Sequence, residues 1–162
     1  MNPTCTASET NAPVCAILDW DNLTAKHTLK IDIAAFVESL RRRGVGHILV
    51  VCNFMQNGER QLWNKAGVSD IWSVQHNCDN CVERAALRLT ALPSTRHLIL
   101  GTGDNYAENL VKIFGRFVSF SIVSRANALA RRVKQVCPVE FFVDQFVVGR
   151  FRRPAASALA FA

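Results

Sequence analysis

Residues 14–23 read VCAILDWDNL. An apolar run from Val14 to Leu18 stops at Asp19, and Asp21 and Asn22 follow at once. A short apolar run with no polar interruption is the pattern of a strand buried on both faces. Side chains alternate along a strand, so the pattern predicts Asp19 and Asp21 on one face and Trp20 on the other. Two carboxylates about 4 Å apart repel by roughly 1 to 4 kcal/mol, depending on the local dielectric. Water, a basic partner or a metal ion must offset that repulsion.

Outward from this strand the hydrophobic period switches repeatedly. Residues 31–43 read as a helix with Ile33, Phe36, Val37 and Leu40 on one face and Gly44 closing it. Residues 47–54 (HILVVCNF) form a second strand, 58–66 a short helix stopped by Gly67, and 70–75 a third strand. Residues 79–92 form a helix with Val82, Ala85, Ala86 and Leu89 inward, ended before Pro93. A fourth strand spans 97–101, a helix 105–114, a fifth strand 117–123, a helix 127–135 and a last short strand 140–143. This alternation predicts an α/β fold with a mostly parallel sheet between helix layers. The domain runs over residues 14–148. A polar leader, 1–13, precedes it, and a tail, 149–162 (GRFRRPAASALAFA), basic and then Ala-rich, reads as a frayed end. Trp20, Trp63 and Trp72 read as packing residues.

A chain of 162 residues, 49% hydrophobic and 20% charged, can bury a sizeable core. It has no apolar run of the roughly 18 residues that span a bilayer, and its N-terminus has neither a basic n-region nor an apolar h-region. The expectation is a cytoplasmic protein without membrane contact. A net charge of +6 is compatible with a polyanionic partner. The six cysteines are Cys5, Cys15, Cys52, Cys78, Cys81 and Cys137. Without a signal peptide they predict no disulfide framework. Cys78 and Cys81 form a lone CxxC that lacks the two further ligands a zinc site needs.

In open α/β sheets, ligands bind beyond the carboxyl ends of the strands, where the strand order reverses. The first strand ends in Asp19 and Asp21. The fourth continues as LILGTGDNYAENL (98–110), with Asp104 just past Gly101 and Gly103. Asp79 opens a helix onto the same edge. Mg²⁺ or Mn²⁺ is the natural neutraliser, because hard cations take carboxylate, water and phosphate oxygens. Such an ion polarises a scissile phosphate and activates a water. Plainer roles compete: Asp104 and Asp79 are good N-caps, and Asn105 with Glu108, or Asn80 with Glu83, has capping-box spacing. Arg125, Arg131 and Arg132, after the fifth strand, are placed to hold a phosphate backbone.

Four stretches, AILDWDNLTA (16–25), NCDNCVERAALRL (77–89), LILGTGDNYAENLVKIF (98–114) and VDQF (143–146), resemble the NYN domain, a branch of the PIN-like ribonuclease superfamily, over residues 14–147. The resemblance implies a PIN-like three-layer α/β/α sandwich with sheet order 3-2-1-4-5. It implies metal-dependent hydrolysis of RNA phosphodiesters, with Asp19, Asp79 and Asp104 as catalytic acids. These three, with Asp21, would hold Mg²⁺ or Mn²⁺. Asn22, Thr102 and Asn105, with Arg125, Arg131 and Arg132, would contact substrate RNA. The chain departs from the pattern at three points. The family's Ser-Gly-Asp-x-Asp-Phe stands here as Thr102-Gly103-Asp104-Asn105-Tyr106-Ala107, so its second Asp is Tyr106. The Lys-Gly-Val-Asp before the central helix stands as His76-Asn77-Cys78-Asp79, and an acid expected farther along that helix is Ala85. Two functions follow: a metal-dependent ribonuclease, or an RNA-binding or adaptor module of the same fold without efficient chemistry. The sequence leaves open a homo-oligomer or a regulatory protein partner.

Overall fold

The strand over Val14–Asp19 (β1) lies at the centre of the sheet in a computed structural model that describes residues 12–75 and 77–151. A helical turn, α1 (Trp20–Leu23), and a short strand, β2 (Leu29–Ile31), follow. Next come α2 (Ile33–Arg42), β3 (His47–Cys52), α3 (Asn57–Lys65), β4 (Asp70–Ser73) and α4 (Cys78–Thr90). The chain continues through β5 (His97–Gly101), α5 (Tyr106–Phe114), β6 (Ser119–Ser124), α6 (Arg131–Val136) and β7 (Val139–Phe142). A 3-10 turn, Val143–Phe146, leads into β8 (Val147–Arg150).

The main sheet has the order β4-β3-β1-β5-β6-β7, and every neighbouring pair is parallel. Its first five strands follow the order 3-2-1-4-5 expected from the resemblance. The difference is a sixth strand, β7, added beside β6. Being flanked on both edges and covered on both faces, β1 buries every residue from Cys15 to Asp19. Alternation sends Ala16 and Leu18 to one helix layer, with Phe36, Leu40 and Trp63. Cys15 and Ile17 face the other, with Val82, Ala86 and Leu110. The result is a three-layer α/β/α sandwich. Trp20 and Trp63 meet edge to face at 4.8 Å, and Trp20 donates its indole N–H to Glu59, so both are core residues. Trp72 is half-buried, with its indole N–H donated to Asp70.

Four sequence expectations need correction. The strand ends at Asp19, and α1 begins at Trp20, so strand alternation does not govern Asp21. The helix expected from residue 31 starts at Ile33 behind the N-cap Asp32, whose carboxylate accepts the Ala35 N–H. Ile31 instead joins β2, which pairs antiparallel with β8. Gly149 and Arg150 therefore belong to a strand rather than a frayed tail. The helix expected over 127–135 covers only Arg131–Val136, because Ala130 donates its N–H to the Gly103 carbonyl and holds the preceding turn against that loop. Most of the leader, Cys5, His76, Arg152 and Arg153 lie outside the described residues. Cys15, Cys52, Cys78, Cys81 and Cys137 are free thiols. Among the described residues no helix is long and apolar enough to cross a membrane.

Candidate metal centre

Asp19 is the last residue of β1 and continues the face that points toward α4 and α5. It also caps α1: its Oδ1 accepts the Asn22 N–H at 3.1 Å. Its Oδ2 accepts the Tyr106 hydroxyl at 3.1 Å. Asp79 stands in the first turn of α4, where Asn77 rather than Asp79 supplies the cap, accepting the Asp79 N–H at 2.9 Å. Asp104 follows β5 on the loop before α5, and its N–H is donated to the Thr102 hydroxyl oxygen at 3.2 Å. Asn105, at the cap position of α5, makes no side-chain capping bond. Asp19, Asp79 and Asp104 each bring an oxygen to one place, all within 4.8 Å of one another.

That geometry is electrostatically loaded. Asp19 is only 3% exposed, and burial pushes its carboxyl up to about 6. The bonds from Asn22 and Tyr106 oppose the rise, while the charges of Asp21 and Asp79 add to it. Burial, followed by the charges of Asp104 and Glu83, also raises Asp79. Among the described residues none of the three forms an ion pair. An all-oxygen donor set without a basic partner suits a hard divalent cation. The spacing agrees, since two ligand oxygens on opposite sides of such an ion stand about 4 to 5 Å apart.

Asp21 does not join this cluster, which corrects the expectation that it would be a ligand. Its Oδ1 pairs with His27 Nε2 at 2.7 Å. Its Oδ2 accepts the Asn53 N–H at 3.0 Å and the Cys78 thiol at 3.5 Å. Burial would raise its carboxyl, but these donors outweigh burial and hold it below the usual range. Cys78 is correspondingly pushed up by burial and by the charges of Asp21 and Asp19, so this thiol of the CxxC acts as a hydrogen-bond donor.

The Asp21–His27 pair closes an unusual turn. Ala25, Lys26 and His27 have φ values of 51°, 54° and 61°, left-handed conformations that cost roughly 1–2 kcal/mol each for residues with a Cβ. Bonds from the Lys26 N–H to the Asp21 carbonyl and from the His27 N–H to Thr24 Oγ1 hold the turn. Asp21 raises the His27 pKa above its ordinary 6.5, burial opposes that rise, and Glu59 adds to it. The pair's contribution to stability is therefore fully present below 6.5 and lost as pH rises through the folded value. On the acid side it is lost as pH falls below 3.8 through the depressed Asp21 value. Urea denaturation of His27→Gln should show its largest deficit against wild type between about pH 4 and 6.5, shrinking above that window. A deficit that grows from pH 7 to 9 contradicts the pair.

Asn22 is a stitch between the acid-bearing loops. Its Oδ1 accepts the Gly103 N–H at 2.9 Å, and its carbonyl accepts Arg125 Nε at 2.9 Å. Arg125, half-buried, is thus fastened beside the centre. Thr102 is 1% exposed and accepts the Asp104 N–H, so it shapes the loop from within. Asn105 is exposed on that loop. Arg131 and Arg132 lie exposed on α6, where Arg132 acts on Glu108 of α5. No sequence signal pointed to the parts played by His27, Asn53 and Cys78. Tyr106 was legible only as a missing acid.

The chain matches no known protein family, and no curated protein matches it. Among solved structures it is similar to a crystallised protein of unknown function from Vibrio parahaemolyticus RIMD 2210633, at 14% identity and a TM-score of 0.63. That similarity covers 83% of this chain and 95% of the other. At this identity the likeness shows the fold alone, the α/β architecture that brings strand ends and helix starts to one edge.

Proposed function

We propose that this protein is a divalent-cation-dependent ribonuclease of NYN type, working at the carboxyl edge of β1 and β5. The observation that carries the reading is the convergence of Asp19, Asp79 and Asp104 within 4.8 Å. Asp19, Asp79 and Asp104 would hold the ion. When bound, Mg²⁺ or Mn²⁺ supplies charge to a phosphoryl oxygen and lowers the pKa of a water. The chain's own residues do the rest. The buried side of Asp19 fixes the ligand's direction, and exposed Asp104 leaves an open flank for substrate. Arg125, with Arg131 and Arg132 farther out, supplies cations for a phosphate backbone. A net charge of +6 favours RNA over other anionic polymers no more than it favours DNA, so the choice of RNA rests on the resemblance.

The second reading, an RNA-binding module without efficient chemistry, is favoured by one observation. Tyr106, a neutral group, stands against Asp19 where the resembled family carries an acid.

The deciding experiment incubates the purified chain with end-labelled single-stranded RNA and Mn²⁺ or Mg²⁺ against EDTA, with Asp104→Asn in parallel. Cation-dependent cleavage that falls at least about 10²-fold in the variant supports the nuclease. RNA that is shifted in a gel but never cut supports the binding module.

A further inference from the structure

The two oxygens of Asp19 are both engaged by protein donors. Asn22 gives its N–H to Oδ1, and Tyr106 gives its hydroxyl to Oδ2. Tyr106 is itself partly buried, beside the buried Thr102, so the phenol has a fixed position rather than a solvent-swept one. Tyr106 opens α5, and Ala107 beside it is fully buried, which anchors the backbone beneath the ring.

A carboxylate that bridges two cations presents one oxygen to each. The phenol takes one of the two lone pairs of Oδ2 and crowds that side of Asp19, which disfavours a second ion there. A phenol also brings no charge near neutral pH, since its ordinary pKa is about 10. As ligands, Asp19, Asp79 and Asp104 provide three negative charges, enough to neutralise one dication and short of two, and Glu83, whose charge reaches Asp79, stands outside the cluster. Asp21 does not make up the difference, because its oxygens are committed to His27, Asn53 and Cys78.

We propose that Tyr106 is a positioning residue that fixes Asp19 as a one-ion ligand, so that the substrate-free centre takes a single divalent cation. The inference rests on the metal-centre reading above and adds to it the ion count and the group that sets it. Removing an outer hydrogen bond to a metal ligand commonly weakens metal affinity 10- to 100-fold.

Mn²⁺ binding to the full chain, followed by calorimetry and by electron paramagnetic resonance of the free ion, tests this without any activity readout. Wild type should bind one Mn²⁺ per chain. Tyr106→Phe keeps the ring and removes the donor, and it should still bind one ion, about tenfold more weakly. Tyr106→Asp supplies a fourth carboxylate and should bind two. Wild type that binds two ions overturns the proposal. So does Tyr106→Phe that binds Mn²⁺ as tightly as wild type, including one that melts earlier, since its role is then structural only. Failure of the underlying reading looks different. Wild type then binds no ion, or Asp104→Asn binds Mn²⁺ unchanged, and the role of Tyr106 falls with the centre.

Discussion

Asp19→Asn should make the metal-free protein more stable at neutral pH while removing the proposed cleavage of RNA. The folded carboxyl titrates near 6 and the unfolded one at 3.8. The folded state therefore binds this proton more tightly, and stability falls as pH rises from about 4 to about 6, remaining low above. About two pKa units correspond to roughly 3 kcal/mol set against the ionised group at pH 7. Asparagine has no charge to desolvate, and its Oδ1 can still accept the Asn22 N–H. Urea denaturation should show a gain of about 1–2 kcal/mol at pH 7 and little at pH 4. Adding Mn²⁺ should raise the melting temperature of wild type by ligand linkage and leave the variant unmoved. Cleavage should fall at least about 10²-fold. A variant that is destabilised at pH 7, or that cuts RNA at the wild-type rate, contradicts the assignment of Asp19.

Gly103→Ala should damage both the fold and the centre, and the reason is backbone rather than side chain. A methyl group there would lie 2.3 Å from the Ala128 carbonyl oxygen, 2.8 Å from its carbon and 2.7 Å from Ser124 Oγ. The Ala128 segment cannot simply retreat, because Ala130 donates its N–H to the Gly103 carbonyl at 2.9 Å. Overpacking against yielding side chains costs about 1–3 kcal/mol, and a fixed backbone should place this substitution at or above the top of that range. Movement of residue 103 also strains its N–H bond to Asn22 and carries Asp104 away from Asp19. Mn²⁺ affinity should drop more than about tenfold. Gly58→Ala is the matched control. It lies in α3 with open space where the methyl would go, and helix propensity predicts a gain of about 0.5–1 kcal/mol. Equal losses from both substitutions would show that the close approach at Gly103 is unimportant.

The sequence carried the sheet well for a physical reason. A parallel strand covered on both faces must be apolar throughout, and VCAIL (14–18), ILVVC (48–52) and LIL (98–100) are. The acids were legible because a buried strand has no structural need to end in a carboxylate. The strands β2 and β8 were not legible, since three or four residues carry too little periodicity, and their partners lie more than a hundred positions apart. Asp21 was misplaced because the alternation argument assumed a strand that had already turned into α1. Asn22 and Thr102 take a part that spacing did not show in full, since the Asn22 N–H and Oδ1 and the Thr102 hydroxyl join Asp19 to the Asp104 loop. Residue type shows that a group can bond, and only the fold shows to what.

The ribbon of β2 and β8 ties the acidic turn to a strand that follows the whole main sheet in sequence. The Phe151 N–H closes on the Thr28 carbonyl at 2.9 Å, one residue past the left-handed run at Ala25, Lys26 and His27. The six strands of the main sheet all end by Phe142, so their pairing does not draw on residues 147–151. Shortening the chain to Phe146 should therefore leave the sheet paired and remove one brace from the strained turn, which the Asp21–His27 pair and the Lys26 N–H still hold.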